Sequence, residues 1–388
     1  MMRNKNAIEL LEDYYASIRN NPGPLNILDE IRHKTKGGRI QDVKKLTTAA
    51  EKLAQDKHIG DKYSFDWLFS HIEEQMHAIF WQAPTTPSQQ IKAFVNELSR
   101  SKATEMNVYM PIHGLSFKKK KRVGNFEFIP ANPKKSGADD INNFLQDQDC
   151  VMTTVLACEE GKAEEKAYAE FQWLENAFRL FNDRAFSDVG ITSFDYRHAD
   201  HVLVKTRTGT YCSSNGKGAV ILLALNKALA QNQPTFFVIS KLGCDINSLT
   251  EMQRRLRHAV HLGGLSVQAP LPAMAFFLCI VAMEALFSNE NVGYVSPSIA
   301  QTIVEAHCYL LGRKNNRRAI FEQIKSFYHK RSCFAHGNAK NKVTVSDVRL
   351  AQNYLRAAIL RLLKDPKLSR LKSTDEVREF ILEKKFGV

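Results

Sequence analysis

Residues 271–287 hold fifteen or more apolar side chains in a row broken by one charge, Glu284. A helix that is apolar on every side is stable in water only when other elements surround it. The segment is a little short for a membrane span of roughly 20 residues. It must therefore be the centre of a helical cluster, and the flanking sequence supplies the neighbours. From about residue 247 to the end, apolar residues recur at helical spacing. Helices are expected at 249–262, 272–287, 297–311, 318–336, 346–363 and 374–384. Breaks are expected at Gly263-Gly264, 289–293, Gly312, Gly337 and Pro366.

The preceding sequence has a different texture. Residues 1–105 read as mainly helical. Val43, Leu46, Ala50 and Leu53 mark one helix after the Gly37-Gly38 break, and further helices are expected at 65–80 and 88–98. Near residue 106 the pattern turns to alternation. Strands are expected at 108–112, 126–129 and 151–158, with a basic connection between the first two. A long helix at 164–182, a strand from His201, a helix near 219–229 and a short buried strand at 236–240 complete an α+β middle region. The expected fold class is an α+β multidomain chain, mixed at the N-terminus and all-α at the C-terminus. Its boundaries divide 1–105, 106–245 and 246–388, in keeping with two or three domains for 388 residues.

Charge is concentrated in the helical third. The whole chain has 54 Lys+Arg against 41 Asp+Glu, and residues 251–388 hold 22 of the former against 11 of the latter. A surplus so placed suits a polyanionic partner, with RNA, DNA and an anionic membrane face the candidates. An ordinary composition, 44% hydrophobic and 24% charged, excludes collagen, coiled coil and wholesale disorder. The seven cysteines form no CxxC pair, so neither a disulfide framework nor a zinc site is expected. His198 and His201 lie close together but lack a third ligand. Gly209 to Gly218 lacks the Gly-Lys-Ser/Thr ending of a phosphate loop and reads as a β-turn. No cofactor and no metal are expected. The start has no apolar core of signal-peptide length, and a reduced, cytoplasmic chain without a membrane partner is expected.

The segment 319–336 carries the most chemistry. Its apolar stripe runs Ile320, Ile324, Phe327, then Phe334 and Ala335, and the position that continues it in the middle is Arg331. An arginine on such a stripe is costly to bury without a partner. Glu284, alone in its own apolar helix, is the expected one. His336 stands just before Gly337, a good helix-ending residue. There the helix dipole favours a cation and tends to raise a histidine pKa towards neutrality. Positions five apart point about 140° away from each other on an ideal helix. Arg331 and His336 thus reach one target only if the last turn is distorted or if two protomers combine their helices.

The run Phe327-Tyr-His-Lys-Arg-Ser-Cys-Phe-Ala-His-Gly337 resembles the signature of HEPN domains, in particular the ApeA-like group. Supporting it are an upstream helix ending Ala282-Met-Glu-Ala-Leu-Phe287, a middle helix ending at Leu311-Gly312 and the order of the three. The resemblance covers about 250–365. It implies a four-helix bundle and a metal-independent endoribonuclease that works as a homodimer or higher oligomer, leaving 2′,3′-cyclic phosphate ends. Carried over by position, Arg331 holds the scissile phosphate and His336 transfers protons. Glu284, Tyr328, His329 and Lys330 stand beside them. Ser332 follows the motif arginine where nuclease-active members often carry Asn, Asp or His; serine hydrogen-bonds but does not titrate at neutral pH. The resemblance also implies an antiphage, abortive-infection effector, with a phage or regulatory protein as a possible partner of the N-terminal region. A catalytically silent RNA- or protein-binding module, and a toxin modified by a nucleotidyltransferase at a residue such as Tyr328, are the other readings it allows.

Further cations are placed to meet an RNA backbone. They are the run Lys118, Lys119, Lys120, Lys121 and Arg122; the helical group Arg254, Arg255 and Arg257; and the loop group Arg313, Lys314, Arg317 and Arg318.

Overall fold

The computed structural model describes residues 5–20, 39–82, 86–131, 148–182, 189–191, 200–206, 209–215, 223–224, 233–288, 299–313, 315–335 and 343–387. The chain divides into two units. One holds Met1–Val108, Thr154–Ala167 and Leu203–Cys212; the other holds Tyr109–Thr153, Tyr168–Val202 and Ser213–Val388. The middle third thus contributes to both.

The first unit is built on α1 (Lys5–Asn20), α2 (Arg39–Gln55), the single turn α3 (Lys57–Gly60), α4 (Phe65–Gln82) and α5 (Pro87–Arg100). Pro87 starts α5 at a position where its missing N–H costs nothing. Leu11, Leu46, Leu53, Leu68, Ile72 and Ile91 form a solvent-free core. They recur at three- and four-residue spacing, which is why α1, α2, α4 and α5 turn one face inward. Glu159 ties this core to the next segment: its carboxylate accepts from the backbone N–H groups of Ser64, Gly161 and Lys162, each at 2.7 Å.

The strands are β1 (Thr104–Pro111), β2 (Leu115–Ser116), β3 (Lys121–Val123), β4 (Phe126–Ile129), β5 (Cys150–Ala157), β6 (Asp200–Lys205), β7 (Thr210–Asn215) and β8 (Leu223–Ala224). Six of them follow the order β3-β4-β5-β1-β6-β7, and β2 pairs in parallel with β8. In the second unit β4 lies antiparallel between β3 and β5, with Phe126 opposite both Val123 and Thr153. Alternate residues of β4 point to one side, which buries Phe126 and Phe128 completely. Phe126 stacks on Trp173 with ring centroids 6.2 Å apart. The helix expected near 219–229 meets a strand at Leu223–Ala224, and its other residues lie outside the described ones.

The helices of the second unit follow: α6 (Glu160–Phe181, from Tyr168 on), α7 (Pro234–Leu242), α8 (Glu251–Gln268), α9 (Pro272–Phe287), α10 (Ile299–Leu311), α11 (Arg317–Ala335), α12 (Val345–Lys364) and α13 (Thr374–Phe386). Their starts are chemically marked. Thr250 with Gln253, and Thr344 with Asp347, form reciprocal capping boxes, and Ser373 caps α13. Gly387 closes α13 at φ 78°, a conformation glycine adopts freely. α9 packs against α8, α10, α11 and α12, and α10 also packs against α11, α12 and α13. That ring of neighbours buries Phe276, Cys279, Ile280, Met283, Leu286 and Phe287. The apolar run at 271–287 therefore finds the surroundings its composition demands.

Three expectations are corrected. Residues 236–240 are helical, inside α7, and not a strand. A short apolar run fits either element, and here Pro234 starts the helix while Phe236, Val238, Ile239 and Leu242 are buried together. Gly263-Gly264 does not break the helix. α8 runs through both, because the absent side chains admit α6: a Cβ at Gly264 would lie 2.3 Å from the Asn176 Cβ and 2.4 Å from its backbone. Phe334 does not continue the core stripe of α11. It is 42% exposed, and the buried residue of that turn is Cys333.

His307 gives the bundle a pH dependence. The ring is fully buried in α10, its Nδ1 is 2.9 Å from the Ile303 carbonyl oxygen, and it meets Phe287 edge to face. Loss of solvent outweighs the carbonyl contact and lowers its pKa from 6.5 to about 4. Between those values the unfolded chain binds a proton that the folded chain refuses. The contribution is intact above pH 6.5 and is lost as pH falls towards 4. In urea unfolding, the wild type is expected to lose about 1.5 kcal/mol more than His307→Leu between pH 6.5 and 5. Equal losses would remove His307 as the cause.

Candidate functional site

Arg331 lies four residues after Phe327 on α11, and the same helical row places its guanidinium over α9. Its Nη2 donates to Glu284 Oε2 at 3.3 Å, and its Cζ lies 5.7 Å from the centre of the Phe277 ring. The expected pair between the two lone charges is thus present. It is not fully enclosed, since the Arg331 side chain is 34% exposed and the Glu284 side chain 19%. The pair leaves donors unused. Arg331 Nε is buried without a hydrogen-bond partner among the described residues.

Tyr328 stands one turn earlier, beside the pair. Its hydroxyl is buried and makes no hydrogen bond of ordinary geometry among the described residues. Burial raises its pKa, and the nearby Glu284 charge pushes the same way. The phenol therefore stays protonated and faces a carboxylate. Phe334 packs against Phe277 with centroids 6.3 Å apart. Arg331 accordingly emerges between an acidic partner and an apolar shelf, the setting in which one anion would be bound in competition with Glu284.

The other motif residues divide. Lys330 turns to α12 and donates to Asp347 Oδ1 at 2.6 Å. Burial works upward on Asp347, but the hydrogen bonds from Lys330 and Thr344 bring its carboxyl below the usual range. Lys330 is therefore held by the capping box of α12 and not by the Arg331 site. His329 and Ser332 are exposed, and His329 Nε2 lies 3.8 Å from Cys333 Sγ. His336 lies outside the described residues, one position beyond the end of α11.

The basic groups also divide. Lys118, Lys119 and Lys120 on the connection into β3, and Lys121 and Arg122 within β3, are all exposed, and Lys120 is paired with Glu127 at 2.8 Å. Arg254 is exposed, with Nη1 on the Leu249 carbonyl. Arg255 is partly committed inward: it bonds Glu251, and its Nη1 donates to the carbonyls of Ala285 and Ser288. Arg313 and Arg318 are exposed and Arg317 is half-buried; Lys314 lies outside the described residues.

Arg257 is a correction. It is 6% exposed and cannot meet an RNA backbone. Its Nη2 donates to Glu170 at 2.6 Å, its Nη1 donates to the Leu242 carbonyl at 2.8 Å, and its guanidinium lies 4.2 Å from the centre of the Trp173 ring. The indole N–H of Trp173 donates back to the Arg257 carbonyl at 3.0 Å. The spacing already held the signal, because Arg257, Val260 and Gly264 follow the i, i+3, i+7 row of a buried face. Glu170 and Trp173 had no such signal in sequence.

Among the described residues no group of three His, Cys, Asp or Glu side chains is placed to hold a metal ion. Likewise no helix among them is long and apolar enough to cross a membrane. His198 lies outside the described residues. No family model, curated protein or solved structure matches the chain.

Proposed function

We propose that the second unit acts on RNA as a metal-independent endoribonuclease of HEPN type. Arg331 would hold the scissile phosphate, and His336 would move protons as the 2′-hydroxyl attacks. The reading is carried by one observation: a partly exposed arginine, held by a single carboxylate contact, five positions before the motif histidine in the sequence. The basic balance of the C-terminal third adds support, since a phosphodiester backbone is drawn to such a surface. Assembly of two copies would bring two such helices to one target and answer the 140° separation of Arg331 and His336. The implied place in antiphage defence rests on the motif resemblance alone.

A second reading is a silent module that binds RNA or protein. The Glu284 contact favours it, because a carboxylate already occupies the arginine. Modification at Tyr328 has less support, since its hydroxyl is buried.

The test is cleavage of mixed cellular RNA in EDTA. The wild type is compared with His336→Ala and with the charge-free pair Glu284→Gln plus Arg331→Gln, at matched folding and oligomeric state. Loss of an essential proton-transfer or charge-stabilising group is expected to lower the rate by at least about 100-fold, with cyclic phosphate ends in the wild-type products. Equal cleavage by wild type and His336→Ala, or no cleavage by the wild type, would move the assignment to the silent module.

A further inference from the structure

A cavity of about 220 Å³ lies on the second unit where α10, the start of α11 and the end of α13 meet. Its walls include the rings of Tyr309 and Phe321, with Arg317, Arg318, Glu305 and Lys385 around them. The carboxylate of Glu305 is already neutralised, because Lys385 Nζ contacts both of its oxygens at 3.0 and 3.1 Å. Among the described residues the two arginines have no such partner. The Arg317 Cζ lies over the Tyr309 ring, 4.6 Å from its centre, and its Nε donates to the Gly312 carbonyl at 3.4 Å. No hydrogen bond among the described residues engages its terminal nitrogens. Arg318 is exposed and makes no hydrogen bond or ion pair among those residues. Both stand on the first turn of α11, where the helix dipole also favours an anion.

The Phe321 ring beside two guanidinium groups without an anionic partner among the described residues defines the ligand chemically. The ring suits a planar base, and the guanidinium groups suit a phosphate held by paired hydrogen bonds. The volume is below the roughly 300–1,000 Å³ of pockets for drug-sized ligands, so the cavity admits one base while the sugar and phosphate lie at its rim beside the exposed Arg318.

We propose that this cavity binds a single phosphorylated nucleotide, with the phosphate at Arg317 and Arg318 and the base against Phe321. The site is separate from the Arg331–Glu284 pair and does not rest on the ribonuclease reading. The nucleotide has two sources, a free mononucleotide or the phosphorylated end of an RNA strand.

The experiment is calorimetric titration of the full-length protein with AMP, GMP, CMP, UMP, adenosine and inorganic phosphate. Two uncleavable 2′-O-methyl octamers, with and without a 5′-phosphate, distinguish the sources. At least one mononucleotide or the phosphorylated octamer is expected to bind at least tenfold tighter than adenosine and inorganic phosphate. Arg317→Gln with Arg318→Gln, and separately Phe321→Leu, are each expected to weaken that binding at least tenfold with unchanged thermal unfolding. The Glu284→Gln plus Arg331→Gln protein should bind as the wild type does, whatever its cleavage activity. Tighter binding of the phosphorylated octamer than of any mononucleotide would assign the site to a strand end, and the reverse to a free nucleotide. Absence of binding by every phosphorylated probe, or binding that neither substitution weakens, would overturn the proposal. So would inorganic phosphate binding as tightly as the nucleotides.

Discussion

Arg257→Ala is expected to cost the second unit about 3–5 kcal/mol, the range for breaking a buried ion pair by removing one partner. The substitution strips Glu170 of its 2.6 Å contact, leaves the Leu242 carbonyl without its donor and uncovers one face of Trp173. Glu170 is then a carboxylate that is mostly shielded from water. Its second oxygen is already buried without a hydrogen bond among the described residues, so it has little local compensation. Urea unfolding followed by tryptophan emission would read the loss. Arg254→Ala is the control: the residue lies three positions away but is exposed, and a surface substitution of that kind stays within about 1 kcal/mol. If Arg257→Ala proved equally mild while weakening RNA binding, the buried clasp would be wrong and the surface reading restored.

The second large effect belongs to Gly264. In an ordinary helix interior, alanine in place of glycine stabilises by about 1 kcal/mol. At Gly264 the sign should reverse. An added Cβ meets backbone atoms of Asn176 at 2.4 Å, and backbone cannot turn aside as a side chain can. Overpacking of this kind costs about 1–3 kcal/mol or somewhat more. Gly264→Ala is therefore expected to destabilise by about 2 kcal/mol after the helix-forming gain is counted. Gly263→Ala is the internal comparison. Its Cβ meets the terminal methyls of Leu180 and Leu355 at 2.8–2.9 Å, which can rotate away. Thermal unfolding of the two variants should separate them by several degrees. Equal midpoints would show that α6 and α8 can shift apart at no cost.

These residues also show which parts of the fold can be read from sequence. The helix starts were legible because their signals are local. Thr250 with Gln253, Thr344 with Asp347, and the prolines that begin α5 and α9 all act within one turn; Pro234 acts the same way, but the short apolar run after it reads equally as a strand. The Glu284–Arg331 pair was legible for a different reason: each charge stood alone in an apolar segment, so each needed the other. The glycine pair misled because a missing side chain has two meanings. It loosens a helix in isolation, but it admits a neighbour when one is present, and that neighbour lies about ninety residues earlier in the chain. Arg257 misled because three arginines within four residues look like one basic face, although a helix spreads adjacent positions over separate faces. The exposure of Phe334 had the same origin. Spacing locates a residue on a helix, but only the neighbouring helices decide how far the covered stripe extends.

The close approach of α6 and α8 also bears on how this chain can be divided. A cut at residue 246 falls between secondary-structure elements and looks harmless in sequence. It would nevertheless part Arg257 from Glu170 and Trp173, and would open the glycine surface that Asn176 fills. A segment inherited, shuffled or grafted as 246–388 would arrive with a charged, unfilled face where α6 belongs. The structural module is therefore discontinuous. It joins the C-terminal helices to a helix of the middle third, and insertions are better tolerated in the connections between them than exchanges across them.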